Sequence, residues 1–157
     1  MLIHLHEVGG IAALLLPFGG SEPVLFLGLE NDDGIISLDL NNGDITVIVD
    51  AVSNAAIDYH NRLGLLYYTD LTTRTLSRIR YPPNGNTASP EIIIQAVDDH
   101  RPIGVAVDSI NNYIYWADDY ADSITKADLC GFNQRVILQD SSINKILGIA
   151  LDTENRY

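Results

Sequence analysis

Two acidic stretches carry the residues best suited to hold a cation, Glu30-Asn-Asp-Asp33 and Asp118-Asp-Tyr-Ala-Asp122. Their oxygen ligands suit a hard ion such as calcium. Neither has the EF-hand spacing or its closing bidentate Glu, so both read as solvated turns. The histidines are His4, His6, His60 and His100. Only His4-x-His6 alternates onto one strand face at a zinc-like spacing, and a plain strand is the reading adopted. Cys130 stands alone, which excludes an internal disulfide and a cysteine-based zinc site. There is no Gly-x-Ser-x-Gly, no glycine-rich phosphate loop and no His-Glu-x-x-His. No catalytic residue, metal or cofactor is expected.

The elements that would position these residues are strands. The chain has 157 residues, within the range of one ordinary domain. Nine Lys and Arg face 21 Asp and Glu, a net charge of −12. That balance excludes a nucleic-acid binder, whose affinity rests on basic side chains. It also argues against adhesion to anionic lipid. Hydrophobic residues make up 46%, enough for a core. Asp outnumbers Glu by 16 to 5, and Val, Ile, Thr and Tyr are frequent. Turn-forming Asp with β-branched and aromatic residues indicates an all-β chain. The apolar run Ile11–Phe18 is too short to span a bilayer, which takes about 20 residues. No Lys or Arg precedes it, so residues 1–22 read as a signal peptide or as a lead-in strand.

The chain repeats itself. Leu65-Leu-Tyr-Tyr-Thr-Asp70 returns as Tyr113-Ile-Tyr-Trp-Ala-Asp118, and Tyr67 lies 48 residues before Tyr115. Short apolar runs ending in Asp precede or follow these segments, at Asp58, Asp108 and Asp152, spaced by 50 and 44. Each unit continues with an alternating run, such as Ile36-Ser-Leu-Asp-Leu40 or Ser123–Leu129, and a further apolar run. Asn42-Gly43 and Cys130-Gly131 mark hairpins between such runs. A period in the forties with four short strands per unit is the signature of a propeller blade. Blades are expected at about 23–55, 56–105 and 106–150, with a truncated fourth from 151. Tyr81–Pro90 holds three of the six prolines and reads as an exposed insertion.

Tyr67-Tyr-Thr-Asp70 and Tyr115-Trp-Ala-Asp118 resemble the YWTD motif of the low-density lipoprotein receptor class B repeat. The resemblance runs from Val24 to Tyr157, with Leu25-Phe26 in place of the motif in the first unit. It implies about three four-stranded antiparallel blades of a six-bladed β-propeller, in a fragment of a longer protein. The motif residues Tyr67, Tyr68, Thr69, Asp70, Tyr115, Trp116, Ala117 and Asp118 then serve structure. So do Asp58, Asp108 and Asp152. Tyr67 and Tyr115 fill wedges between blades, and Asp70 and Asp118 accept backbone N–H bonds across turns. The remaining blades, or a second copy, would close the ring.

The resemblance further implies an extracellular or cell-surface receptor of endocytic or Wnt co-receptor type, attached through a membrane span elsewhere in the parent protein. One propeller face would bind a protein, with Glu30, Asp32, Asp33, Arg74, His100, Arg101, Asp119, Tyr120 and Asn144 as candidate contacts. The acidic charge would steer a basic partner. His100, within Asp98-Asp-His-Arg101, is a candidate acid sensor. Glu30–Asp33 departs from the Wnt co-receptor branch, which has an Asn/Arg-rich stretch there. The alternative is a lactonase-like propeller enzyme with a channel metal, which needs carboxylates on the inner strands. Gly104-Val-Ala-Val and Gly148-Ile-Ala-Leu offer none before their terminal Asp.

Overall fold

A computed structural model describes residues 13–16, 24–29, 34–82, 89–98, 100–143 and 145–152. Their strands form three four-stranded antiparallel sheets. No helix occurs among the described residues. The first sheet orders β1 (Ala13–Leu16), β2 (Val24–Gly28), β3 (Ile35–Asp39) and β4 (Ile45–Val49). The second holds β5 (Asn54–His60), β6 (Leu65–Asp70), β7 (Thr75–Arg80) and β8 (Glu91–Gln95). The third holds β9 (Pro102–Asp108), β10 (Tyr113–Asp118), β11 (Ser123–Asp128) and β12 (Arg135–Gln139). Every sheet is a meander, with each strand beside its sequence neighbour.

The blade limits differ from those expected. Boundaries at 55/56 and 105/106 would cut β5 and β9, and the first sheet takes β1 from the 1–22 segment. A strand begins as soon as the crossing loop ends, several residues before the Asp that marks each repeat. No strand begins at 151 among the described residues. Instead Gly148 lies against β9, where a Cβ on Gly104 would sit 3.3 Å from its Cα.

The register corrects one equivalence. Tyr67 pairs with Asp58, whereas Tyr115 pairs with Ala106. His60 pairs with Leu65, and Asp108 pairs with Tyr113. His60, not Asp58, therefore occupies the position of Asp108. The two side chains do the same work. Asp108 Oδ1 accepts from Ile110 N (3.1 Å) and Asn111 N (3.0 Å). His60 Nδ1 accepts from Leu63 N (3.3 Å).

Adjacent motif aromatics point to opposite faces of their strand, as a pleated strand requires. Tyr68 joins Ile57, Tyr59 and Leu66 against Phe26, Ile35 and Val49 of the first sheet. Phe26 stacks on Tyr59 at 6.0 Å and meets Tyr81 edge-on at 4.7 Å. Tyr67 joins Leu76 and Ile94 against Val105, Val107, Ile114 and Trp116 of the third sheet. Its hydroxyl donates to Leu129 O at 3.2 Å. Tyr115 fills no wedge between described sheets. Trp116 faces the second sheet, so Tyr115 faces away from it and stays half-buried, with Lys126 Nζ 5.6 Å from its ring. At Gly131 (φ +82°) a Cβ would collide with Ile93 O, so only glycine lets this hairpin approach the second sheet.

Tyr67→Ala removes a fully buried ring and should destabilise the fold by about 3–5 kcal/mol in urea denaturation. Tyr115→Ala should cost less than half as much.

Candidate functional site

The ends of β6 and β10 build one face of the second and third blades. Asp70 Oδ1 accepts from Thr72 N at 3.0 Å. Asp118 Oδ1 accepts from Tyr120 N (3.0 Å) and Ala121 N (2.9 Å). Both turns close through a left-handed residue, Arg74 (φ 55°) and Asp122 (φ 46°). Short polar side chains favour such turns because they replace the missing ladder bonds. Asp118 Oδ2 also holds the crossing loop, accepting from Arg101 N at 3.0 Å and lying 3.0 Å from His100 Nδ1. Asp70 and Asp118 are buried, and so is Thr69. Ala117 is buried behind the face.

This frame brings together Arg74, His100, Arg101, Asp119 and Tyr120. Arg101 makes a two-pronged ion pair with buried Asp119, with Nε donating to Oδ1 at 2.8 Å and Nη2 to Oδ2. That hydrogen-bonded pair raises the guanidinium's pKa, so it keeps its charge. The Arg101 guanidinium lies 4.3 Å and that of Arg74 5.6 Å from the Tyr120 ring centroid. Arg74 Nη1 also donates to Asp98 O at 3.0 Å. Tyr120 is thus held by cation–π contacts from two arginines while 48% exposed. The His100 side chain is 56% exposed. Here Asp70, Asp118 and Asp119 are sunk into the frame, while Arg74, His100 and Tyr120, together with Asp98, meet solvent. Glu30, Asp32, Asp33 and Asn144 lie outside the described residues, as do His4 and His6. Asp152 is exposed at the far end of the described chain.

Three polar anchors between blades escaped the reading of the sequence. Asp58 Oδ2 accepts from Val107 N of the third blade at 2.6 Å, and Oδ1 from Tyr59 N at 2.8 Å. Burial among the strands pushes its carboxyl from 3.8 up to about 6, against the pull of those two donors. His60 Nε2 meets Asn112 Oδ1 at 3.0 Å, and Arg62 Nη2 donates to Ile110 O at 3.1 Å. Arg78 donates to Leu129 O (2.8 Å) and Glu91 Oε2 (2.9 Å), with exposed Cys130 Sγ 3.6 Å away. A basic or ionisable residue one strand away from a motif is the only signal, and it does not name a partner. Among the described residues no three His, Cys, Asp or Glu are grouped to hold a metal ion. No helix long and apolar enough to cross a membrane is found among the described residues.

Stacked four-stranded meanders with a repeated motif define a segment of a β-propeller. No protein-family model matches the chain. It is 33% identical over 144 residues, 91% of its length, to low-density lipoprotein receptor-related protein 5 of Mus musculus. It is 36% identical over 81 residues, 52% of its length, to Nidogen-2 of Mus musculus. The matches span 9% and 6% of those relatives. Among solved structures, a nidogen/laminin complex aligns with a TM-score of 0.69 at 19% identity, over 82% of this chain and 48% of that one. An auxiliary nutrient binding protein of Bacteroides thetaiotaomicron aligns at 0.59 and 14% identity, over 83% and 40%. The chain is a partial YWTD β-propeller of the low-density lipoprotein receptor class B type.

Asp58 makes stability depend on pH. Its folded pKa lies above the unfolded value, so its contribution is full below pH 3.8 and lost as pH rises through about 6. Wild type should therefore gain on Asp58→Asn by about 1–2 kcal/mol between pH 7.5 and pH 4. Paired urea titrations at the two pH values check this.

Proposed function

We propose that this chain is a protein-binding propeller segment of an extracellular or cell-surface receptor related to the low-density lipoprotein receptor, of endocytic or Wnt co-receptor type. The observation that carries the proposal is Tyr120, a large half-exposed ring clamped by Arg74 and Arg101 on the loop face. Tyrosine and arginine dominate binding hot spots because they offer large contact area with little rotamer freedom left to lose. The clamp holds the ring in place before any partner arrives. A solved neighbour is a complex of nidogen with laminin, and a matching relative is a lipoprotein receptor-related protein, which agrees with a protein ligand and an extracellular setting. The partner is a protein with a basic surface, steered by the net charge of −12. The remaining blades, or a second copy, cover the outer face of the third sheet at half-buried Tyr115.

A panel of purified secreted and ectodomain proteins tests this by biolayer interferometry. The expected result is a partner whose affinity falls at least ten-fold, about 1.4 kcal/mol, in Tyr120→Ala. Its association rate should fall as salt rises. A panel with no partner, or one indifferent to Tyr120→Ala, overturns the proposal.

A further inference from the structure

Propeller blades diverge toward the rim, and the wedge between them must be filled. Between the second and third blades the core around Tyr67 fills it only in part. A cavity of about 390 Å³ lies there, within the range of small-ligand clefts, about 300–1,000 Å³. Ile94 and Val97 line it from the second blade, and Trp116 and Val136 from the third.

Two hydroxyls on β11 also line this cavity, those of Ser123 and Thr125. The residues are 4% and 7% exposed. Neither hydroxyl has a hydrogen-bond partner among the described residues. A buried polar group left this way costs about 1–3 kcal/mol. The second blade handles the same positions differently. There Thr75 lies 48 residues before Ser123, and Ser77 the same distance before Thr125. Ser77 Oγ donates to Thr75 Oγ1 at 3.5 Å, and Thr75 Oγ1 meets Thr73 Oγ1 at 3.0 Å. The second blade ties its hydroxyls together; the third leaves them without partners among the described residues, on residues that line a cavity.

The rest of the lining narrows the chemistry. Gln139 brings an amide, and Gln134 keeps its amide oxygen free while Nε2 donates to Gly131 O at 3.0 Å. Hydroxyls and amides both donate and accept. The one carboxylate, Asp118, is already engaged by Arg101 N, Tyr120 N and Ala121 N. Among the described residues no Lys or Arg lines the cavity, and its one imidazole, His100, is already paired with Asp118, so no free cation is there to balance a phosphate or a free carboxylate. What matches is an uncharged ligand dense in hydroxyls with apolar C–H faces between them.

We propose that the cavity between the second and third blades is a saccharide-binding site, with Ser123 and Thr125 as its buried hydrogen-bonding pair. The sugar is either free or the terminal residue of a glycan. The site adjoins the loop face through His100 and Asp118 but does not include Tyr120.

The test is saturation-transfer NMR on the protein with neutral sugars: glucose, galactose, mannose, N-acetylglucosamine and their methyl glycosides. An array of protein-linked glycans separates the two sources. The expected result is saturable transfer from at least one sugar, weakened ten-fold or more in the double variant Ser123→Ala with Thr125→Val. Tyr120→Ala should leave the transfer unchanged, which separates this site from the protein-binding face. The double variant removes two unsatisfied hydroxyls, so its urea midpoint should equal or exceed wild type, which shows that it folds. No transfer at about 20 mM sugar, weaker than any millimolar site, would mean that the cavity holds water only and would overturn the proposal. Transfer that survives the double variant unchanged would do the same.

Discussion

Every sheet in this chain has two apolar faces, and that single constraint organises the structure. Tyr67 and Tyr68 are sequence neighbours, so the pleat sends one ring to each side. One face of β6 must meet the first blade and the other the third. A sheet that buries both faces cannot stand alone. It is stable only inside a stack, and stacking at a constant tilt makes a propeller. The third sheet shows the same demand unmet: Trp116 is covered by the second blade, while Tyr115 is left half-buried on the far side.

The unusual charge follows from the same architecture. Blades of short strands need many tight turns, and each turn leaves N–H groups without ladder partners. Asp39, Asp70, Asp108, Asp118 and Asp128 all stand at strand ends and accept from backbone N–H groups two to four residues on. Glu is one methylene too long for this local geometry, which accounts for the excess of Asp. Much of the net charge of −12 is therefore turn chemistry, and its field on partners is a by-product.

The fold was legible because its signals are local. Alternation in Ile36–Leu40 and Ser123–Leu129 appears as β3 and β11, and the motif itself as β6 and β10. Arg74 and Tyr120 sit in the turns that follow the motifs, and His100 and Arg101 in the loop that crosses to the third blade. What the sequence hid depends on partners far along the chain. Asp58 and Asp108 look like one repeated element, yet a two-residue offset in register puts His60 in the Asp108 place. Which carboxylates are drawn into contact with the neighbouring blade, as Asp58 is with Val107 N, leaves no mark in the local pattern.

Four of the side chains that join the second blade to the third share one property, which the contact of His60 with the Asn112 side chain lacks. Asp58 reaches Val107 N, Arg62 reaches Ile110 O, and both Tyr67 and Arg78 reach Leu129 O. All of these touch main chain, which every residue supplies whatever its side chain, proline's missing N–H aside. A blade anchored in this way places little demand on the amino acids opposite. Each repeat is free to drift in evolution while the stack persists, so shape outlasts sequence likeness. The nidogen structure shares this fold at a TM-score of 0.69 with 19% identity.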